Sequence, residues 1–216
     1  MLTVDGLRQI VALPVAVGVS HDPSGTDRES EFKSGRTAVR AALATLGLEV
    51  GDLLAGPFGP EWPDGFVGSL SHSAGTAVAI AAKSSDRATL GIDIERRDRR
   101  LDDRVIRRIA TPAELDWVSA FGSDGVEALR LFCAKEATYK ALSRFIPTRV
   151  SFADVEFRHR AAGYLSGKLS SSAARHAPVS EVTARTVVID EFVVALVEVP
   201  AGGDSRGRGY RPGWCA

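Results

Sequence analysis

The stretch GIDIE at residues 91–95 predicts a strand that ends in two acidic side chains. Two isoleucines alternate with Asp93 and Glu95, and successive side chains of a strand point to opposite faces, so both carboxylates lie on one face. This arrangement is the outline of a site for a hard cation such as Mg²⁺. An acidic pair followed by several arginines is also typical of a salt-bridged strand end, and the stretch alone is compatible with both interpretations.

A second stretch, LFCAKEATYKAL at residues 131–142, predicts a helix. Glu136 and Lys140 are four residues apart and share one helix face, whereas Lys135 lies about 100° round the helix from Glu136. Such a pair is often an ordinary surface ion pair worth a few tenths of a kcal/mol. The apolar residues around it leave little of this helix facing solvent, so some of the charges are expected near the packed side, where they need partners or a ligand.

Composition narrows the class of protein. The chain has 216 residues, 44% hydrophobic and 25% charged, as in ordinary globular proteins. Its 27 basic residues balance 27 acidic ones, so no overall charge attracts nucleic acid, and any anion binding has to be local. No apolar run reaches the roughly 18 residues of a membrane span. The run at residues 10–19 is interpreted as an edge strand and not as a signal peptide, so we expect a cytoplasmic protein that binds neither membrane nor nucleic acid.

Local patterns along the chain predict a mixture of strands and helices. Thr111 is expected to cap a helix that begins at Pro112, with Glu114 completing a capping box. The proline-rich stretch at residues 55–68 is expected to be irregular. The predicted strands cover residues 15–20, 69–72, 76–82, 90–95, 150–158, 161–169 and 187–199, and the predicted helices cover residues 28–48, 101–109, 112–120 and 125–144.

This order indicates an α+β fold of two similar α+β lobes related by pseudo-twofold symmetry. We place the N-terminal lobe, with the first acidic pair, at residues 1–100 and the C-terminal lobe, with the Glu136 helix, at residues 101–200. The Gly/Arg-rich residues 201–216 are expected to be a disordered tail. A ligand site is expected at the lobe junction.

Three motifs taken together resemble the 4′-phosphopantetheinyl transferase superfamily. GIDIE fits the pattern G-[IV]-D-x-E, FCAKEATYK at residues 132–140 fits [FW]-[SC]-x-K-E-[AS]-x-x-K, and SLSH at residues 69–72 fits an upstream Ser-x-[ST]-His. They occur in order and at ordinary spacing. The likeness is to the Sfp-like branch, in the group resembling the enterobactin synthase component, and covers residues 28–158.

The resemblance implies transfer of the 4′-phosphopantetheine arm of coenzyme A to a serine of an apo carrier protein, with release of adenosine 3′,5′-bisphosphate. It implies Mg²⁺, with Mn²⁺ as an alternative, held by Asp93, Glu95 and Glu136. Glu136 would also take the proton of the carrier serine, directly or through a metal-bound water, and Lys140 would stabilise the α-phosphate and the leaving group. The chemistry suits these residue types, because a pyrophosphate under attack needs its charge neutralised.

The resemblance also implies a set of residues that anchor the phosphates of coenzyme A. These are Arg28, Arg36, Arg40, Ser71, His72, Lys135 and Lys140. A basic helix face is usually only solvated, and an isolated histidine is usually structural, so these assignments depend on the family likeness. The chain departs from the pattern at Pro57, Phe58 and Gly59, where many relatives carry a basic residue.

Two alternatives stay open on the sequence. One is a different Mg²⁺-dependent phosphoryl-transfer enzyme, which would show no preference for coenzyme A. The other is a non-catalytic relative that only binds carrier proteins. The presence of Asp93, Glu95, Glu136 and Lys140 argues against this alternative. The expected partners are coenzyme A and apo acyl or peptidyl carrier protein domains, and the chain is expected to be a monomer.

Overall fold

Strands and helices are interleaved along the described part of the chain, as the sequence predicts. The computed structural model describes residues 1–12, 14–22, 27–56, 59–121, 125–146, 150–161 and 163–201. The helices are α1 (Val4–Arg8), α2 (Arg28–Thr45), α3 (Asp103–Ile109), α4 (Pro112–Phe121), α5 (Val126–Leu142) and α6 (Ser171–Ala174), with a 3₁₀ turn at Phe152–Asp154. The strands are β1 (Ala16–His21), β2 (Ala55–Gly56), β3 (Gly59–Pro60), β4 (Phe66–Ser73), β5 (Thr76–Lys83), β6 (Arg87–Arg96), β7 (Val155–Ala161), β8 (Tyr164–Leu169), β9 (Glu181–Ile189) and β10 (Phe192–Pro200).

The larger strands form two antiparallel sheets. The first has the order β1-β5-β4, the second has the order β6-β10-β9-β8-β7, and β2 and β3 form a separate two-stranded pair. The strand that carries GIDIE, β6, pairs with β10 over most of its length. Although we placed this strand within the lobe at residues 1–100, it therefore hydrogen-bonds in the sheet of the second half. The division of the chain into lobes at residue 100 stays a prediction.

Side chains of the central strands point alternately to the two faces of each sheet, and this alternation produces four layers. In β5, three alanines face α2, whereas Val78, Ile80 and Ala82 face the second sheet. In β10, Val193 and its alternate neighbours face α5, whereas Phe192 and its alternate neighbours face the first sheet. The order of layers is thus α2, first sheet, second sheet, α5, with apolar cores between them.

Each long helix approaches its sheet at a glycine. A Cβ atom on Gly18 of β1 would lie 2.0 Å from the carbonyl oxygen of Ala38 in α2. A Cβ atom on Gly91 of β6 would lie 1.9 Å from the carbonyl oxygen of Ala137 in α5. Only glycine permits this backbone contact, which fixes both helices against their strands.

The predicted start of α4 is confirmed. The Thr111 backbone N–H donates to Glu114 Oε2 at 2.7 Å, and the Glu114 backbone N–H donates to Thr111 Oγ1 at 3.3 Å. These are the two reciprocal hydrogen bonds of a capping box.

The structure corrects several predicted boundaries. The single strand predicted at residues 187–199 is a hairpin of β9 and β10, which turns at Asp190 with φ of 51°. The strand predicted from residue 150 begins at Val155, because Ser151 caps a 3₁₀ turn before it. The stretch at residues 55–68, expected to be irregular, contains β2, β3 and the start of β4. Residues 57, 58 and 202–216 lie outside the described residues, so the tail predicted at residues 201–216 falls there except for Ala201, and so do Pro57 and Phe58 of the departure at residues 57–59. In the described ranges, no helix is long and apolar enough to span a membrane.

Candidate active site

A cavity of about 460 Å³ lies where β4, β6 and α5 meet. Asp93, Glu136, Lys140, Ser71 and His72 line it, so the structure brings together five of the predicted site residues. A second cavity of about 480 Å³ adjoins the first and shares part of its lining. The shared wall consists of Gly59, Pro60, Trp62, Gly68, Lys140 and Ser143. The location of the site at a junction of two lobes stays a prediction.

The Asp93 carboxylate is the buried acid of the cavity, with only 6% of the residue exposed. Its Oδ1 accepts hydrogen bonds from Ser71 Oγ at 2.8 Å and from Lys140 Nζ at 2.7 Å. Its Oδ2 is buried and has no hydrogen-bond partner among the described residues. A buried carboxylate oxygen without a partner is costly, so this atom is suited to receive a cation or a donor from a ligand.

Glu136 and Lys140 lie one helical turn apart on α5 and both face the cavity, as the spacing predicts. Lys140 Nζ also donates to the Ile92 carbonyl oxygen at 3.1 Å, which ties it to β6. Burial raises the pKa of Glu136 above its ordinary value, and the negative charge of Asp93 raises that pKa further. The positive charge of Lys140 acts in the opposite direction. Two carboxylates therefore share one cavity and repel each other, which a bound cation would relieve.

Glu95 lies on the same face of β6 as Asp93 but is otherwise engaged. Its Oε1 pairs with Arg99, and its Oε2 accepts a hydrogen bond from Ser73 Oγ at 3.2 Å. Arg99 in turn stacks over the ring of Phe132, 4.8 Å from its centroid. As the described side chains stand, no three Asp, Glu, His or Cys residues are grouped closely enough to hold a metal ion. Asp93 and Glu136 line one cavity, whereas Glu95 is paired with Arg99, so the three-carboxylate site stays a prediction.

The three arginines of α2 have different environments. Arg28 is exposed, Arg40 is half-buried and Arg36 is buried. Arg36 donates from Nε to the Leu53 carbonyl oxygen at 2.8 Å and from Nη2 to the Leu54 carbonyl oxygen at 3.0 Å. Burial lowers its pKa from the ordinary value. Arg36 is thus bonded to the segment after α2, whereas Arg28 and Arg40 keep exposed surface.

The structure corrects the expectation that Lys135 contacts a phosphate. Lys135 Nζ is buried and donates to the carbonyl oxygens of Phe152 at 2.8 Å and Val155 at 2.9 Å. It also forms an ion pair with Glu114 Oε2 at 2.8 Å, in which both side chains are 0% exposed. An ammonium group has three hydrogens, and three acceptors occupy them. Lys135 points into the core because it lies one residue before Glu136 and so on another helix face.

The two predicted anchors on β4 also differ. His72 is 48% exposed, and its Nδ1 lies 3.8 Å from Glu31 Oε1, so it can turn toward a ligand in the cavity. Ser71 is buried, and its only hydroxyl hydrogen points to Asp93. A direct contact between Ser71 and a phosphate would require that hydrogen bond to break.

Further residues line the cavity that were not among the predicted site residues, including Ser69, Tyr139, Ser143 and Trp62. Ser69 alternates with Ser71 on β4, and Tyr139 and Ser143 each lie three residues after a site residue on α5 or just beyond it. These spacings were a usable signal, since they place side chains on one face. Trp62, which packs on Gly68, had no such signal in the sequence.

Comparisons with known proteins identify the family of this chain. The 4′-phosphopantetheinyl transferase superfamily profile matches residues 89–197, and the profile of the 4′-phosphopantetheinyl transferase N-terminal domain matches residues 21–82. The chain is 32% identical over 188 residues to enterobactin synthase component D of Salmonella typhimurium, covering 81% of this chain and 73% of that protein. The chain therefore belongs to the 4′-phosphopantetheinyl transferase superfamily.

Two shorter matches have higher identity. The chain is 38% identical over 133 residues to the 4′-phosphopantetheinyl transferase Svp of Streptomyces mobaraensis, covering 60% of this chain and 54% of Svp. It is 41% identical over 120 residues to the 4′-phosphopantetheinyl transferase PptT of Mycobacterium tuberculosis, covering 53% of this chain and 51% of PptT. The match thus spans about half the length of each of these two relatives.

Proposed function

We propose that this protein transfers the 4′-phosphopantetheine arm of coenzyme A to a serine of an apo carrier protein and releases adenosine 3′,5′-bisphosphate. The observation that carries the proposal is the meeting of Asp93, Glu136 and Lys140 in one cavity between β6 and α5. Two carboxylates and an ammonium group are the side chains that a metal-assisted transfer from a pyrophosphate requires. Family membership supports the choice of substrate.

Glu136 is the group we assign as base. In the proposed step, the hydroxyl oxygen of the carrier serine bonds to the phosphorus that bears the pantetheine arm. The bond from that phosphorus to the bridging oxygen breaks, and its electron pair leaves with adenosine 3′,5′-bisphosphate. The serine proton passes to Glu136, whose carboxylate lines the cavity.

Lys140 and Asp93 act as a pair in this proposal. Lys140 Nζ, held by Asp93 and by the Ile92 carbonyl oxygen, presents a fixed positive charge to the phosphate and the leaving group. Asp93 and Glu136 would hold Mg²⁺, or Mn²⁺ in its place, with Glu95 as a third ligand once released from Arg99. The ion would neutralise charge on the pyrophosphate.

We assign the 3′-phosphate of coenzyme A to Arg28, Arg40 and His72, which keep exposed surface. Arginine offers a fork of donors that suits a phosphate group. Arg36 we assign to the fold, since its guanidinium bonds to two backbone carbonyl groups.

The expected partner is an apo acyl or peptidyl carrier protein, met by a monomer of this chain. We further propose that the two lobes are related by pseudo-twofold symmetry. The support is that β1, α2 and β5 and then β6, α5 and β10 repeat one arrangement, in which the first strand pairs antiparallel with the last.

The proposal is tested by incubating the protein with coenzyme A, Mg²⁺ and a panel of apo carrier proteins and weighing the carriers by mass spectrometry. We expect a gain of about 340 Da, the mass of the transferred arm. Folded protein that modifies none of several carriers would refute the assignment. Transfer from other pyrophosphate donors with equal efficiency would instead favour a different phosphoryl-transfer enzyme.

A further inference from the structure

The two sheets meet at an unusual junction. Strand β4 is an edge of the first sheet and β6 is an edge of the second, and in the described part of the chain they are not hydrogen-bonded neighbours in either sheet. Edge strands present unpaired backbone groups that need partners. Three serines of β4 provide hydroxyl groups that hydrogen-bond to β6. We call Ser69, Ser71 and Ser73 the serine ladder.

The serine ladder contacts β6 through four hydrogen bonds. The backbone N–H of Ile92 donates to Ser69 Oγ at 3.1 Å, and that of Ile94 donates to Ser71 Oγ at 3.3 Å. The other two run from hydroxyl to carboxylate, from Ser71 to Asp93 Oδ1 at 2.8 Å and from Ser73 to Glu95 Oε2 at 3.2 Å. The first two bonds span 23 residues each, so the two strands run in the same direction in a fixed register.

The Oγ atom of Ser71 bonds both to the backbone of β6 and to the Asp93 carboxylate. Its hydroxyl accepts from β6 and donates to Asp93, so the position of Asp93 Oδ1 follows the register of the two strands. Asp93 Oδ1 is thus held from β4 by Ser71 and from α5 by Lys140. Ser69 is buried and holds the strand one step before, at the Ile92 backbone.

We propose that Ser69 and Ser71 are positioning residues: they replace a backbone ladder between β4 and β6 and fix the Asp93 carboxylate at the cavity, where it would help to hold the cation. This inference rests on the proposed function only for the use of that cation in catalysis. The placement of Ile92, Ile94 and Asp93 by hydroxyl groups is a statement about this fold alone.

The first test is amide hydrogen exchange in the protein without ligands. We expect the Ile92 and Ile94 amides of the unaltered protein to be protected from exchange, although β4 and β6 share no ladder of backbone hydrogen bonds. Ser69→Ala speeds exchange at Ile92, and Ser71→Ala speeds exchange at Ile94, each by about 5- to 10-fold, the loss expected for one hydrogen bond. Unprotected amides in the unaltered protein, or equal exchange in the variants, would overturn the proposal.

The second test is Mn²⁺ binding without coenzyme A, with free Mn²⁺ followed by electron paramagnetic resonance. Ser71→Ala weakens Mn²⁺ binding by about 10-fold, since it loses a partner that orients a metal-binding carboxylate. Ser71→Thr keeps the hydroxyl and restores most of the affinity. Ser166→Ala on β8, which β9 and β10 separate from β6, is the matched control and leaves binding unchanged.

The outcomes separate this inference from the proposed function. If exchange and Mn²⁺ binding respond as stated but the unaltered protein modifies no carrier, the serine ladder stands and the transferase assignment fails. If the unaltered protein modifies carriers while Ser71→Ala binds Mn²⁺ normally, the ladder proposal fails. Where a buried alanine variant does not fold, the protection of Ile92 and Ile94 in the unaltered protein still decides the first test.

Discussion

Two units of the molecule, β1 with α2 and β6 with α5, are built on one framework, and the second places Asp93, Glu136 and Lys140 in the cavity described above. In each unit a strand glycine, Gly18 or Gly91, touches the backbone of a helix alanine, Ala38 or Ala137. Each first strand then pairs antiparallel with the last strand of its half, β5 or β10. The framework is therefore a helix locked onto a strand by a glycine contact.

The likeness extends to a buried cation. Arg36 and Lys135 each lie two residues before the contact alanine, and each donates to a backbone carbonyl group 17 residues further along the chain. Each side chain thereby holds the segment that follows its helix. Lys135 has Glu114 as an ion partner, whereas Arg36 instead stacks over the ring of Phe32 at 4.3 Å.

The two units differ in the strand residue that lies two positions after the glycine and in the helix residues that flank the contact alanine. Two residues after it, β1 has Ser20, which accepts a hydrogen bond from Ser34 Oγ at 3.1 Å, whereas β6 has Asp93. Where α5 has Glu136 and Lys140, α2 has Thr37 and Ala41. The glycine contact thus creates a scaffold, and the site depends on the few side chains placed on it.

The largest expected effect is at Asp93. Asp93→Asn keeps the shape but removes the charge, so we expect transfer activity to fall by at least about 1000-fold while the fold persists. Ser20→Ala, the corresponding position of the first unit, is the control and should retain activity. The measurement is the rate of carrier modification by mass spectrometry, with circular dichroism for the fold. Full activity of Asp93→Asn would show that the two units do not differ in function as described.

The next largest effect is on stability, when either of the buried cations Lys135 and Arg36 is replaced. Lys135→Met leaves the Glu114 charge unpaired in the core, so we expect the free energy of unfolding to fall by about 3–5 kcal/mol. Arg36→Met removes a charge without leaving a buried counter-ion, and its loss should be about 1–3 kcal/mol, from two unpaired carbonyl groups. Urea denaturation measures both. An equal loss in the two variants would mean that the ion pair with Glu114 adds nothing.

The glycine contacts provide a test of the shared framework. A Cβ at either position would overlap a carbonyl oxygen, so Gly18→Ala and Gly91→Ala should each lower the free energy of unfolding by about 3 kcal/mol. Gly91→Ala should also reduce kcat more than Gly18→Ala, because it separates β6 from α5 and hence Asp93 from Glu136. Thermal unfolding and steady-state kinetics measure the two quantities, and tolerance of one alanine but not the other would show that the contacts are not equivalent.

The smallest effect concerns the second acid of GIDIE. Arg99→Ala frees Glu95, so we expect Mn²⁺ to bind a few-fold more tightly, with a change in stability below about 1 kcal/mol because this ion pair is partly exposed. Arg96→Ala, which removes an exposed pair with Asp98, is the control. Mn²⁺ titration measures the effect. Unchanged affinity after removal of Arg99 would argue that Glu95 is not a ligand.

Local chemistry made parts of the fold predictable. The capping box at Thr111 and the shared face of Glu136 and Lys140 depend only on neighbours a few residues away, and both occur as predicted. Most of β9 and the turn were missed, because apolar residues stand on both sides of Asp190 and Glu191 and the turn there depends on pairing between the two arms. Helix spacing showed that Lys135 and Glu136 lie on different faces but not which face meets the core.

The sequence by itself determined the family motifs, the one-faced pairing of Asp93 with Glu95 and of Glu136 with Lys140, and the long helices that carry them. These follow from the fixed periods of strands and helices. Only the tertiary structure decided that Lys135 is buried against Glu114 and that serine hydroxyls join β4 to β6. Those contacts join residues from separate elements, and a side chain's partners there are set by packing between elements, which no local spacing encodes.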